Sequence, residues 1–184
     1  MNKISTTRVL ALSGSLRYGS YNTALINAAV KLTPTAMDVV CFDELDLIPL
    51  FNPDREQENI PVIQRLKFEI KKSDGMLISS PEYAHGISGV LKNTLDWLVS
   101  GAEFPYLPIA LVNTSPRASH AQLALREVLS TMSAKIIDAA TMNLPLLGTD
   151  LDAEKIIADE ALSLYITDKL TVFRDCIIRS NETS

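Results

Sequence analysis

Short apolar runs alternate with amphipathic segments along most of the chain. The runs of strand length predict β-strands at Arg8–Leu12, Asp38–Phe42, Gly75–Ser79, Ile109–Asn113 and Lys135–Asp138. Elsewhere apolar residues recur with the helical period. These segments predict helices at Asn22–Lys31, Ile60–Lys72 (with Asn59 as candidate N-cap), Gly89–Val99, Ser119–Met132 and Ala153–Ile178. Strands that alternate with helices of this length favour a parallel sheet with helices on both faces.

This alternation predicts an α/β three-layer sandwich whose five-stranded parallel sheet has the order 2-1-3-4-5. We expect one domain over residues 1–184, because no linker, repeat or low-complexity tract divides the chain. In this order the topology switches between the first and third strands, and ligands bind beyond the carboxyl ends of the strands there. The loops after Leu12 and Ser79 therefore flank the expected binding site.

The loop after the first strand is rich in groups that bind anions. Residues 13–22 read Ser-Gly-Ser-Leu-Arg-Tyr-Gly-Ser-Tyr-Asn and lead into the first helix. Backbone N–H groups of such a loop and the helix N-terminus direct partial positive charge at one point. The side-chain donors are Ser13, Ser15, Arg17, Ser20 and Asn22. The lysine of the ATPase triphosphate loop is absent, so the loop suits a terminal monophosphate, with an ordinary capped turn as the competing interpretation.

A second compact loop follows the third strand and begins Ser-Pro-Glu-Tyr-Ala-His-Gly at residue 80. Pro81 and Gly86 suit a turn whose backbone approaches a flat ligand, and Tyr83 offers an aromatic wall. Ser88 is expected to cap the next helix, in which Trp97 is expected to pack in the core.

Two side chains of this second loop have two interpretations each. Glu82 is either a solvated charge or a subunit contact, and His85 is either a proton donor or simply exposed. The sequence leaves both alternatives open.

Composition narrows the possible functions. Apolar residues make up 47 % of the chain, charged residues 21 %, and the formal net charge is −5. This acidic balance argues against general nucleic-acid binding and against an anionic membrane surface, and no apolar run is long enough to span a membrane. Cys41 and Cys176 lie far apart, which is typical of reduced cytoplasmic thiols. His85 and His120 lack paired ligand spacing, so we expect no metal site.

The two loops together resemble the motifs of the NADPH-dependent FMN reductase family, a flavodoxin-like group that includes chromate, quinone and azo-compound reductases. Residues 14–22 match its G-S-x-R-x-x-S-x-N motif. Residues 81–97 are similar to its P-E-Y-N-x-x-x-P-G-x-L-K-N-x-x-D-W motif, and residues 47–52 resemble its second loop.

The resemblance implies a flavodoxin-like fold that binds FMN and uses NAD(P)H to reduce a quinone, a flavin or another small oxidant by a ping-pong mechanism. It implies no catalytic side chain, because the flavin carries the chemistry. It places the FMN phosphate at Ser15, Arg17, Ser20 and Asn22. The full set of cofactor-binding residues it implies is Ser13, Ser15, Arg17, Ser20, Tyr21, Asn22, Pro81, Glu82, Tyr83, Ala84, His85, Gly86 and Ser115.

Some positions depart from the family pattern. Ala84 and Ser88 stand where the family has Asn and Pro, and the loop at 113–120 lacks a glycine pair. In that loop Arg117 and His120 either contact a phosphate of the pyridine nucleotide or are ordinary surface groups. A flavodoxin-type electron carrier and a catalytically silent nucleotide-binding domain remain as alternative functions.

Residues 43–59 form an unusually long stretch without predicted secondary structure, and Leu47, Ile48, Leu50 and Phe51 make its middle apolar. Either a partner covers it or it folds over the edge of its own sheet. The resemblance implies that the chain assembles as a homodimer or homotetramer, and two-fold dimers are the commonest soluble oligomers.

Overall fold

A computed structural model describes residues 6–115 and 117–182 of the chain. The strands are β1 (Thr7–Ser13), β2 (Met37–Phe42), β3 (Gly75–Ser79), β4 (Glu82–Tyr83), β5 (Gly86–Ile87), β6 (Pro108–Asn113), β7 (Lys135–Ile136) and β8 (Met142–Asn143). The helices are α1 (Tyr21–Lys31), α2 (Pro61–Lys71), α3 (Gly89–Asp96), α4 (Ser119–Thr131), α5 (Ala153–Ala158) and α6 (Glu160–Glu182).

The central sheet is parallel and has the order β2-β1-β3-β6-β7, which confirms the predicted order. In the described part of the chain it has six strands rather than the predicted five, because β8 also pairs with β6. A 3₁₀ turn at Asp138–Ala140 ends the predicted fifth strand early. The chain then rejoins β6 at Val112 and Asn113, beyond the point where β7 pairs.

Helices cover both faces of the sheet, as the sequence predicts. Side chains alternate along β1, so that Leu10 and Leu12 pack towards α2, α3 and α4, whereas Val9 and Ala11 pack towards α1, α5 and α6. Each large apolar side chain buried in this way stabilises the fold by about 1.5–3 kcal/mol. Within residues 6–115 and 117–182 no helix is both long and apolar enough to cross a membrane.

Two local expectations are wrong. The single helix predicted over Ala153–Ile178 is broken, because Asp159 is extended and its carboxylate accepts a hydrogen bond of 3.0 Å from the backbone N–H of Leu162. This contact caps the start of α6. The N-cap of α2 is Ile60 rather than Asn59, and Pro61 occupies the first turn of that helix.

Gly75 supplies a stability prediction, since it begins β3 directly beneath α6. A Cβ atom there would lie 2.8 Å from Ile177 Cδ1 and 3.0 Å from Phe173 Cζ. We expect Gly75→Ala to lower the free energy of unfolding by about 1–3 kcal/mol in urea denaturation, because α6 must shift to make room. The matched control is Gly89→Ala, whose Cβ would meet no atom within 4 Å. Equal stability of the two variants would contradict this packing.

Candidate functional site

The loop between β1 and α1 lies against the end of β3. The backbone N–H of Gly14 donates to the Ser79 carbonyl oxygen at 2.7 Å. A Cβ at Gly14 would lie 3.0 Å from both Leu91 Cβ and Ser88 Oγ, so glycine is required for this close approach. Gly19 then turns the chain into α1 with a φ of +68°, in the left-handed region that glycine adopts without strain.

The N-terminus of α1 is available to an anion. Ser20 is its buried N-cap, yet the Ser20 side chain makes no hydrogen bond to the first turn, and that turn holds no acidic residue. The first N–H groups of a helix have no partner within it. Arg17 is exposed beside this point and pairs with no carboxylate among the described residues. Positive charge and donors therefore converge here without a protein counterion.

Asn22 joins this loop to two other strands. The residue is buried, and its side-chain oxygen accepts hydrogen bonds from Ser79 Oγ at 2.6 Å and Thr114 Oγ1 at 3.2 Å. Ser79 ends β3, and Thr114 directly follows β6. These two bonds occupy the amide oxygen, which leaves the NH₂ group of Asn22 as the part of the side chain that can donate to a ligand.

The second loop is a two-residue hairpin between β4 and β5. Ala84 and His85 form its turn with φ angles of 48° and 61°. Positive φ at both central residues is the type I′ arrangement that matches the twist of a hairpin. Neither residue is the Gly or Asn that this turn favours.

Glu82 anchors the hairpin to α4. One carboxylate oxygen accepts a hydrogen bond of 2.8 Å from the backbone N–H of Ala121, in the first turn of α4, and the other lies 3.4 Å from His85 Nδ1. Glu82 is therefore not a solvated charge. His85 also packs edge-on against His120, with ring centroids 4.5 Å apart, although its own side chain is 77 % exposed.

Helix α3 holds the long 43–59 loop. Ser88 is the N-cap of this helix, as predicted, and its side chain accepts a hydrogen bond from Leu91 N. Asn93 Oδ1 accepts from Phe51 N at 2.8 Å, and both Asn93 Nδ2 and Trp97 Nε1 donate to the Pro49 carbonyl oxygen. Trp97 is buried, as predicted. The loop is thus held by a helix of its own chain, yet the side chain of Leu50 stays exposed.

The loops that follow β1, β3 and β6 surround one open cavity of about 390 Å³ at the carboxyl ends of these strands. The sequence-predicted site residues that line it are Ser15, Arg17, Ser20, Tyr21, Asn22, Pro81, Glu82, Tyr83, Ala84, His85 and Ser115. Ser13 and Gly86 are not among the lining residues, and the Ser13 hydroxyl is hydrogen-bonded to Thr23 Oγ1 at 2.8 Å. The described residues contain no group of three or more His, Cys, Asp or Glu arranged for a metal ion.

Several lining residues are absent from the predicted set. Ser80, Thr114, Arg117, Ala118 and Leu147 also line the cavity. Ser80 and Thr114 directly follow strands at the switch point, so the predicted ends of these strands are enough to place both residues at the site. Leu147 follows β8, which the sequence did not predict, and nothing in the local pattern points to it.

Comparison with known proteins identifies a family. The family model described as NADPH-dependent FMN reductase matches residues 7–147. An NAD(P)H-dependent FMN reductase of Pseudomonas aeruginosa is 32 % identical over 169 residues, which cover 89 % of this chain and 91 % of that protein. A quinone reductase of Escherichia coli is 30 % identical over an alignment that covers 94 % of this chain and 96 % of that protein.

A solved structure supports the fold. The flavoenzyme NAD(P)H:(acceptor) oxidoreductase FerB of Paracoccus denitrificans superposes with a TM-score of 0.82 at 24 % sequence identity. The match covers 94 % of this chain and 98 % of that one. The strand order described above is therefore that of a flavodoxin-like fold.

Ala84 supplies a second stability prediction, because a left-handed conformation costs a non-glycine residue about 1–2 kcal/mol. We expect Ala84→Gly to raise the free energy of unfolding, by up to about 1 kcal/mol once the extra entropy of glycine in the unfolded chain is deducted. The matched control is Ala124→Gly within α4, which we expect to lower it by about 1 kcal/mol. Urea denaturation of both variants measures the difference. Destabilisation by both substitutions to the same extent would contradict strain at Ala84.

Proposed function

The chain belongs to the NADPH-dependent FMN reductase family, and we propose that the cavity beyond β1, β3 and β6 is its FMN site. The chain is a flavin-dependent NAD(P)H oxidoreductase with quinone or flavin acceptors, in keeping with its relatives. The observation that carries the site assignment is the N-terminus of α1, which opens onto the cavity beside the unpaired guanidinium of Arg17.

The residues present fit FMN. A phosphate monoester needs several donors and positive charge, and the loop offers the hydroxyls of Ser15 and Ser20, the Arg17 guanidinium and the N–H groups of α1. A planar ring needs close backbone and apolar walls. The turn at Ala84, together with Tyr83 and Leu147, supplies these on the other side of the cavity.

The chain contributes binding and orientation. When bound, FMN supplies hydride and electron transfer between a nicotinamide and an acceptor. Tyr83 and Leu147 remain about half exposed, at 55 % and 49 %, and so leave apolar surface at the open side for flat substrates. Because one open cavity serves both substrates, we propose that they bind in turn, which is a ping-pong mechanism. Hydride transfer itself requires no acid or base from the lining side chains.

We also propose that the protein acts in the cytoplasm as a homodimer or homotetramer. Leu50 and Val99 are exposed at 83 % and 60 %, and a hydrogen bond between Ser100 and Glu56 joins the two segments that carry them. Such a paired apolar surface suits a second copy.

Both cysteines are free, and burial, followed by the charge of Asp43, raises the pKa of the Cys41 thiol. Stable thiols suit a reducing compartment.

The proposed activity is tested by the visible spectrum of the purified protein, with FMN added if it is colourless and NADPH then added without oxygen. We expect flavin absorption bands that bleach within seconds. FMN uptake without bleaching would indicate an electron carrier instead. No FMN uptake at all would indicate a silent nucleotide-binding domain and would contradict the proposal.

A substitution in the proposed phosphate-binding loop tests where the FMN phosphate binds. We expect Arg17→Gln to weaken FMN binding by about 10- to 100-fold, since a hydrogen bond to a charged group contributes about 1.5–3 kcal/mol. The control is Arg55→Gln, because Arg55 pairs with Glu58 outside the cavity. Fluorescence titration with FMN measures both. Equal affinity in the two variants would place the phosphate elsewhere.

The proposed interface is tested by light scattering after size-exclusion chromatography. We expect Leu50→Glu to shift the protein towards monomer, because two carboxylates would be buried in a two-fold contact. Leu164→Glu is the control, since Leu164 is similarly exposed on α6. A wild-type monomer, or a Leu50→Glu variant that keeps the wild-type mass, would exclude this interface.

A further inference from the structure

Two arginines of the cavity differ from the other arginines that the structure describes. Arg17 and Arg117 both line the cavity and pair with no carboxylate among the described residues. The arginines that pair with Asp or Glu are Arg8, Arg55, Arg65, Arg126 and Arg174. In a chain of net charge −5, two unpaired guanidinium groups at one cavity indicate a requirement for anions there.

The two arginines occupy different places. Arg17 belongs to the loop after β1, and Arg117 belongs to the segment between β6 and α4. Strand β3 lies between β1 and β6, so the ends of these two strands are about 10 Å apart. FMN carries one phosphate, and the loop at Arg17 already combines a helix N-terminus, hydroxyls and a guanidinium for it. Arg117 therefore remains for a second anion.

The surroundings of Arg117 favour an anion as well. Its backbone N–H donates to Ser115 Oγ at 3.2 Å, and its side chain is exposed at the rim. The imidazole of His85 also lines the cavity and packs against the ring of His120. Glu82 is the carboxylate among the residues that line the cavity. One of its carboxylate oxygens accepts a hydrogen bond from Ala121 N, and the other lies next to His85 Nδ1. The side chain of Glu82 is 14 % exposed.

We infer that Arg117 binds the 2′-phosphate of NADPH and makes this chain prefer NADPH to NADH. The inference rests on the proposed function. The 2′-phosphate is a terminal monoester, whose oxygens match the fork of a guanidinium, and it is the group that distinguishes the two dinucleotides. It also belongs to the adenosine end of the substrate, away from the nicotinamide, which suits an exposed residue at the rim.

The test compares two fragments on the FMN-loaded protein by isothermal titration calorimetry. Adenosine 2′,5′-bisphosphate carries the 2′-phosphate, and 5′-AMP lacks it. We expect the wild type to bind the bisphosphate at least about tenfold more tightly, and Arg117→Gln to abolish the difference. The matched control is Arg126→Gln in the helix that follows, α4, where Arg126 pairs with Asp138 at 2.7 Å and does not line the cavity. That variant should keep the wild-type preference.

Flavin bleaching by each dinucleotide, followed by stopped flow, completes the test. We expect Arg117→Gln to raise the NADPH concentration needed for half-maximal rate by about tenfold or more relative to the NADH concentration needed for it. Equal losses with NADPH and NADH would overturn the inference in favour of a contact common to both. Equal fragment affinities in the wild type would also overturn it. Absence of FMN binding, or of bleaching by either dinucleotide, would refute the proposed function instead.

Discussion

The side-chain oxygen of Asn22 is the constraint on which the site depends. It accepts hydrogen bonds from Ser79 and Thr114, and thereby joins the start of α1 to the ends of β3 and β6. A parallel sheet aligns its carboxyl ends at one edge, but alignment alone leaves the loops beyond those ends free. An unpaired buried acceptor would cost about 1–3 kcal/mol. This cost favours the single arrangement in which the loops after β1, β3 and β6 surround one cavity.

A second polar contact determines where positive charge remains available. Glu82 is held by the first turn of α4 through Ala121 N, so its charge stabilises a helix N-terminus and does not pair with a cavity arginine. The N-terminus of α1, by contrast, has no side-chain cap and no acidic first turn. The N-terminus of α4 at the cavity is thus occupied by a carboxylate of the protein, whereas the N-terminus of α1 is not. This difference supports the anion site that we propose at α1.

Sequence periodicity was sufficient for most of the fold, and the residue types of the loops predicted most of the side chains that line the cavity. The fully buried run at Gly75–Ser79 was predicted with its observed bounds, because a central strand is apolar on both faces. The break at Asp159 was missed, since one side-chain cap outweighed a continuous apolar stripe. Leu147 was missed because only tertiary structure brings it to the cavity. Ser13 was predicted at the site from its residue type, but its hydroxyl bonds to Thr23, a choice of rotamer that no sequence pattern specifies.

The turn at Ala84 shows why a departure from a motif need not remove the structure that the motif encodes. Ala84 and His85 keep the left-handed backbone of the hairpin, although neither is the residue type that favours it. Strain of this kind persists where the surroundings hold it in place. Here the Glu82 contact to α4 and the packing of His85 on His120 fix both sides of the turn. The backbone of Ala84 and His85 is therefore held at the cavity, where the alanine offers no polar side chain.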